Sequence, residues 1–345
     1  MTGSLLSLVI VVASLLIGGW VLWPETGLWA RLRRGRSYAQ RVLREDALKH
    51  LYKHTKGDSW PTLESIAGAL QITTNEVTQV LLELETTGLV ERIQDRYQLT
   101  WEGEQYALHI IRAHRLWERY LADHTGFSEM EWHRQAERME HQMTVEDVAS
   151  LSTRLGHPTH DPHGDPIPTS SGELFPLPGQ SLTVASSFQT LRIVHIEDEP
   201  EVLYAQILAE GLHPGDVLQV VSNTPQAICL ETQGREIHLA PIVAGNIQVE
   251  VVEKEDLQDH TVHQRLSSLQ LGESAVIQQL SPALRGLERR RLLDLGFLPG
   301  TSIEVELQSP SYDPVGYRVR GTLVGLRREQ AEHIWIQPSQ EETVS

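Results

Sequence analysis

The sequence predicts a multidomain α+β chain: an N-terminal transmembrane helix, a winged helix-turn-helix, an all-α module and two small barrel-like β domains. Three observations predict it. Leu5–Trp23 is an uncharged apolar run, a helix–helix–turn–helix–hairpin order spans Tyr38 to Leu99, and one ten-residue block recurs in the C-terminal part. At 345 residues the chain exceeds one ordinary core, so several domains are expected.

The apolar run is about 19 residues long, enough to cross the hydrocarbon core as a helix. Trp20 and Trp23 stand at its end and Pro24 stops it; indole rings favour the membrane interface. Arg31, Arg33, Arg34 and Arg36 follow, and no Lys or Arg precedes the run. That asymmetry puts the C-terminal body in the cytoplasm. The basic start and small-residue cleavage site of a signal peptide are not evident. Residues 1–36 therefore read as a single-pass anchor in the inner (cytoplasmic) membrane, with the membrane contact at residues 5–23 and a basic juxtamembrane segment after it.

Residues 37–103 read as the winged helix-turn-helix. From Tyr38 to Tyr52 apolar residues (Val42, Leu43, Ala47, Leu48, Leu51) fall at helical spacing. Pro61-Thr62 opens a short helix, Leu63–Leu70. Gln71-Ile72-Thr73 is a turn, and Thr73 or Thr74 caps the next helix, 75–86, which Gly88 ends. Leu89 to Leu99 alternates apolar and polar residues around Asp95-Arg96, a hairpin signal. A helix, a helix-turn-helix and a two-stranded wing in this order form the DNA-binding motif.

Residues 104–156 read as a helical module: a long helix from Trp101 to near Gly126, a second from Ser128 to Met143, a third from Thr144 to Leu155. On the second, His133, Glu137, Glu140 and His141 stand at i, i+4, i+7 and i+8 and share one face. The long helix offers His114 and Glu118 at i, i+4, and the first helix of the body offers Asp46 and His50 at the same spacing. Carboxylate oxygens with neutral imidazole nitrogens suit octahedral Mn2+ or Fe2+. The single cysteine, Cys229, excludes a disulfide framework and a cysteine-type zinc site and reads as a small core residue. Apart from these ligands no nucleophile or general-base motif stands out, so the chain does not read as an enzyme.

Residues 157–180, rich in Pro, Gly, His and Asp, read as a linker. Its His160, Asp161, His163 and Asp165 have the chemistry of metal ligands, but in a Pro-rich turn the favoured reading is structural and metal binding is the alternative. Beyond it, the block from Ile207 to Asp216 is echoed from Leu292 to Thr301: a helix closed by Gly, a Pro-Gly turn, then a strand. Two copies of one small barrel-like domain follow, at 181–255 and 264–338, with a tail at 339–345.

The segment Arg112-Ala-His-Arg-Leu-Trp-Glu-Arg-Tyr-Leu121 with Glu137-Arg-Met-Glu-His141, and the segment from Gly156 to Pro168, resemble the metal-binding and dimerisation domain of the DtxR/MntR metalloregulators. The resemblance covers roughly residues 37 to 168. It implies a metal site of Asp46, His114, Glu137, Glu140 and His141. Glu137 stands where the iron-sensing branch has cysteine and the manganese-sensing branch glutamate, which implies an all-nitrogen-and-oxygen site. Glu118 and His133 match ancillary-site positions. Lys49 stands where manganese-type members place a second first-helix carboxylate, so a second metal there would need His50. The C-terminal copies look like FeoA-type SH3-like domains. The second copy, with Leu295-Gly-Phe-Leu-Pro-Gly300 and Arg318-Val-Arg-Gly321, is the stronger likeness, and the first is a diverged copy.

The resemblance implies that the helix 75–86 enters the major groove, with Thr73, Thr74, Asn75, Thr78 and Gln79 reaching bases or phosphates and Arg92 and Arg96 on the wing. Bulk charge opposes this. The formal net charge is −17, and Ser37–Thr100 holds seven Lys or Arg against nine Asp or Glu, so phosphate contacts must come from a local surface. The expected function is a metal-dependent, homodimeric, DNA-binding transcriptional regulator. The alternative is a membrane-anchored metal sensor or adaptor that engages a ferrous iron transporter through its FeoA domains and does not bind DNA.

Overall fold

A computed structural model describes residues 28–55, 60–94, 96–232, 234–252, 264–281 and 283–338. The apolar run Leu5–Trp23 lies outside them. Among the described residues no helix is long and apolar enough to cross a membrane. The chain divides into two compact units. One holds the described residues up to Arg112, with Glu140–Met143 and Ser170–Gly172; the other holds Ala113–Met139, Thr144–Thr169 and the chain from Glu173 onward.

The first unit is the winged helix-turn-helix. Helix α1, Leu28–Thr55, packs on α2, Leu63–Leu70, and on α3, Thr74–Thr86. Ala47, Leu48 and Leu51 of α1, Ile66 of α2 and Val77, Leu81 and Leu84 of α3 are buried together in this unit. Helix α2 starts where the Thr62 side chain accepts the Ser65 N–H, and Ser65 returns the bond. Thr73 and Glu76 close the same reciprocal box on α3. The wing is β1, Val90–Ile93, antiparallel to β2, Arg96–Leu99. Helix α4, Trp101–His124, begins one residue later. Gly103 in its first turn allows close approach to the strand, since a Cβ there would lie 1.9 Å from Leu89 O.

In the second unit α4 continues and is followed by α5, Glu129–Glu140, and α6, Val145–Arg154. The segment 157–168 is no solvated linker. Asp161, His163 and Ile167 are buried, and Arg115 of α4 donates to Pro166 O at 2.6 Å and to Asp165 Oδ1 at 2.8 Å.

The repeat is borne out strand by strand. The first copy orders β3 (Gln180–Ser181), β4 (Thr190–Ile196), α7 (Glu201–Ala209), β5 (Val217–Asn223), β6 (Ile228–Thr232), β7 (Arg235–Leu239), α8 (Pro241–Ala244) and β8 (Ile247–Val251). The second orders β9 (Gln264–Arg265), β10 (Ser274–Leu280), α9 (Gly286–Asp294), β11 (Ser302–Gln308), β12 (Val315–Val319), β13 (Thr322–Leu326), α10 (Arg328–Glu332) and β14 (Ile334–Pro338). Even the irregularities recur: β4 shifts register between Ile193 and His195, β10 between Ile277 and Gln279. The expectation of closed SH3-like barrels is corrected. Each copy is an open six-stranded sheet, β3-β8-β4-β5-β6-β7 and β9-β14-β10-β11-β12-β13. The two-residue edge strands β3 and β9 turn at once into single 3-10 turns at Leu182–Val184 and Leu266–Ser268, against which α8 and α10 pack. A strand that short cannot run along the far edge to close the ladder.

Candidate metal centre

Among the described residues the predicted ligands gather into separate groups. In the first unit Asp46, Glu140 and His141 offer ligand atoms within 4.8 Å of one another. His141 Nε2 lies 3.3 Å from Asp46 Oδ1 and 3.4 Å from Glu140 Oε1. Ligand atoms held at 2.0–2.2 Å from one cation lie roughly 3.0–3.5 Å apart, so this spacing fits. On the other side of the ring, His141 Nδ1 lies 2.6 Å from Glu45 Oε2. Glu45 Oε1 accepts from Arg41 Nε and from the Tyr106 hydroxyl, each at 2.7 Å. Glu45 is placed where it would orient a ligating imidazole and fix its tautomer, with Nε2 facing Asp46 and Glu140. It was not singled out in the sequence because nothing in helical spacing distinguishes it from any acid beside Asp46.

The electrostatics explain what fills the group without a metal. Burial opposes a charged His141, but hydrogen bonds to Asp46 and Glu45 and the charge of Glu140 lift it to about 9. Lys49 Nζ donates to Glu140 Oε1 at 2.7 Å. An ammonium thus takes the oxygen that a second first-helix carboxylate would share a cation with. His50 does not replace it: its Nε2 lies 3.3 Å from Ser65 Oγ, its ring stacks on His54 at 4.2 Å, and it joins no candidate metal group among the described residues.

In the second unit His114, Glu118 and His133 form another group, as the ancillary reading of Glu118 and His133 anticipates, and His114 belongs to it. His114 Nε2 lies 3.0 Å and His133 Nδ1 3.4 Å from Glu118 Oε1. The first β-copy adds two acids that the sequence reading missed. Asp198 Oδ2 lies 2.8 Å from His133 Nδ1, and Glu199 Oε1 lies 3.5 Å from His133 Nε2. Glu137 Oε1 is here too, 3.6 Å from His133 Nε2. Although 2.8 Å from Asp198, the buried His133 Nδ1 makes no hydrogen bond of good geometry. His114 Nε2 is hydrogen-bonded to Glu118 Oε1, so it is His133 Nδ1, crowded by acids without such a bond, that a shared cation would satisfy. Burial opposes protonation of His133, but Asp198, Glu118, Glu137 and Glu199 outweigh it and raise its pKa. Glu118 is held well below the carboxylate range because His114 and His133 overcome its burial. Comparing the two β-copies exposes the missed acids: Ile196 aligns with Leu280, so Asp198 and Glu199 fall where the other copy has Pro282 and Ala283.

Cys229 donates to Glu236 Oε1 at 3.0 Å, with His238 beside them. That bond and burial raise the thiol to about 11, which keeps it protonated at neutral pH.

On α3, Thr74, Asn75 and Gln79 are exposed. Thr73 Oγ1 is occupied by Glu76, and Thr78 Oγ1 donates to Thr74 O, so their hydroxyls serve the helix. Arg96 lies over Trp60 at 5.3 Å and Arg92 over Tyr97 at 5.8 Å, which lines the wing with cations.

Three domain families match the chain: the iron dependent repressor metal binding and dimerisation domain over residues 100–169, the FeoA domain over 264–338, and the DnaD N-terminal domain over 45–130. A probable metal transport system membrane protein of Chlamydia trachomatis is 43% identical over 81 residues, which is 24% of this chain and 18% of that protein. This chain therefore spans about a fifth of that relative's length. The diphtheria toxin repressor of Corynebacterium diphtheriae is 29% identical over 215 residues, 59% of this chain and 94% of the repressor. Among solved structures, a manganese-dependent transcriptional repressor in complex with manganese superposes with a TM-score of 0.56 at 25% identity, covering 60% of this chain and 99% of its own. The chain is thus similar to DtxR/IdeR-type metal-dependent repressors over about three fifths of its length, and it matches the models of their metal binding and dimerisation domain and of the FeoA domain.

Proposed function

We infer that the protein is a Mn2+- or Fe2+-dependent, DNA-binding transcriptional regulator of metal homeostasis that works as a homodimer. One observation carries this reading: Asp46 on α1 meets Glu140 and His141 at coordination spacing, and α1 is the helix on which α2 and α3 of the helix-turn-helix pack. Asp46 on α1 with Glu140 and His141 would hold the divalent cation, whose positive charge would offset their carboxylates. Asp46 and Glu140 provide hard oxygen ligands. Glu45 orients His141, and the buried α1 face carries the position of Asp46 into the recognition helix. Loss of any ligand loosens α1 and lowers the population competent for DNA. The diphtheria toxin repressor and the manganese-bound neighbour are repressors by name, and the homodimer expectation rests on the matched dimerisation domain.

The test is selection of DNA from the source genome by the purified chain with Mn2+, with Fe2+ under anaerobic conditions, and with EDTA, followed by gel shift on the recovered sites. Metal-dependent sites that Asp46→Ala and His141→Ala abolish support the reading; no specific site under any metal condition overturns it. The FeoA match favours one second reading, an adaptor acting on a ferrous iron transporter, which predicts capture of the transporter by residues 264–338 and no DNA site. The run Leu5–Trp23 supports a tether holding either activity at the cytoplasmic membrane. Recovery of the full chain from the soluble fraction would count against the tether.

A further inference from the structure

The ancillary group holds more donors than one cation needs. Glu118 presents Oε1 to His114 and His133, while its Oε2 faces His163 Nδ1 at 3.9 Å. Asp198 Oδ2 lies 3.8 Å from the same His163 nitrogen and 2.8 Å from His133 Nδ1. Each carboxylate is therefore flanked by imidazoles on two sides. His163 is only 2% exposed, and its Nε2 makes no hydrogen bond. Its Nδ1 stands beyond hydrogen-bond distance of both acids. A buried ring nitrogen left without a hydrogen bond is unfavourable unless something else satisfies it.

The ring is placed by a built loop. Asp161 Oδ1 accepts the backbone N–H groups of His163 and Asp165, each at 2.9 Å. The Ile196 N–H bonds to His163 O at 2.9 Å, which pins the loop to the end of β4, two residues before Asp198. Gly164, at φ +97°, permits that approach; a Cβ there would fall 2.1 Å from Val194 O. Tyr204 meets the His163 ring edge-on at 5.3 Å between centroids. A cavity of about 510 Å³, lined in part by His133, His163, Asp198 and Glu199, leaves room for water to complete a coordination shell.

We propose that His163, Glu118 and Asp198 form a second cation position beside the His114–Glu118–His133 position, with Glu118 and Asp198 bridging the two, so that this cluster takes a pair of Mn2+ or Fe2+ ions. The proposal rests on the metal-responsive reading above and concerns how many ions the cluster holds and through which residue. Bridging carboxylates offset the repulsion between two dications, which in such sites stand about 3.5–4 Å apart. Three imidazoles with carboxylates favour first-row transition ions over Mg2+ or Ca2+.

The test uses the full-length protein in a His141→Ala background, which removes the Asp46 group from the count. Mn2+ bound at saturation is counted by elemental analysis, and its EPR spectrum reports whether ions are exchange-coupled. His163→Phe keeps the ring volume and His163→Asn keeps a polar side chain; circular dichroism checks that each is folded. Either change is expected to remove roughly one Mn2+ per chain and the coupled signal, leaving an isolated Mn2+ spectrum. An unchanged count in a folded variant overturns the second position. So does the lack of a coupled signal in the saturated parent, a measurement that needs no His163 variant. If the wild-type chain binds no Mn2+ or Fe2+ at all, the metal-responsive reading falls with it; if it binds metal but the count ignores His163, only the paired position falls.

Discussion

Replacing Lys49 with Met should destabilise the metal-free protein and tighten its hold on Mn2+. Without metal, three carboxylates (Glu45, Asp46 and Glu140) face three positive groups: Arg41 on Glu45, Lys49 on Glu140, and His141, whose proton is kept up to about pH 9 by the acids around it. The local charges balance, so an incoming dication competes with charge already in place. The Lys49–Glu140 contact is 2.7 Å, with the Glu140 side chain fully buried and that of Lys49 18% exposed. At an effective dielectric constant of 20 the attraction is about 6 kcal/mol before desolvation is counted. Removing one partner of a buried pair costs about 3–5 kcal/mol, and the partial exposure of Lys49 places this case near 3. A bound dication supplies the missing charge to Glu140, so the metal-loaded protein should keep only about a third of the loss. The remaining ~2 kcal/mol appears by linkage as Mn2+ binding tighter by about 30-fold. Urea unfolding in EDTA measures the first effect and calorimetric titration with Mn2+ the second. Equal stability in EDTA together with an unchanged Mn2+ affinity would show that Lys49 is a surface charge and not a resident counter-ion of the site.

His50 is pushed down to about 4 by burial first, then by the charges of His54 and Lys53. It is therefore neutral in the fold and takes up its proton mainly on unfolding; its contribution is intact above about pH 6.5 and falls as pH drops toward 4, by about 2 kcal/mol after allowance for partial exposure. Urea midpoints of wild type and His50→Gln at pH 7 and pH 4.5 check this, the variant losing less on acidification. Gly103→Ala should cost about 2 kcal/mol because its Cβ meets Leu89 O at 1.9 Å, outweighing a helix-propensity gain of ~1 kcal/mol; thermal melts that show the variant more stable would contradict the packing of α4 on the wing. On a recovered DNA site, Gln79→Ala should cost about 1–3 kcal/mol and relax base preference at one position, whereas Arg96→Ala should weaken all sequences alike and lower the salt slope by roughly 1, both read by fluorescence anisotropy across a salt series.

What could be read from the sequence follows from how far apart in the chain the partners lie. Helices α1 to α6 were legible because each carries its own period, and three of them, α2, α3 and α6, also carry a start signal in the capping residues Thr62, Thr73 and Thr144. The duplicated sheet was legible because a repeat declares itself twice. Whether the sheet closes was not, since closure depends on the reach of the two-residue strands β3 and β9. The metal centre was half legible for a related reason. Spacing of i, i+4 tells which residues share a helix face and is silent on which faces meet, so five ligands read as one set while the fold groups Asp46 with Glu140 and His141, and His114 with Glu118 and His133. Asp198, Glu199 and His163 lie in segments with no period at all, and Pro and Gly around His163 imitate a linker. The likeness of the two β-copies hid a signal in its exception. The first copy departs from the second where Asp198 and Glu199 replace Pro282 and Ala283, and Asp198 lies against His133 and His163. Divergence between copies that keep the same strands and the same bulges is not decay of the fold; here it sets a carboxylate against two imidazoles.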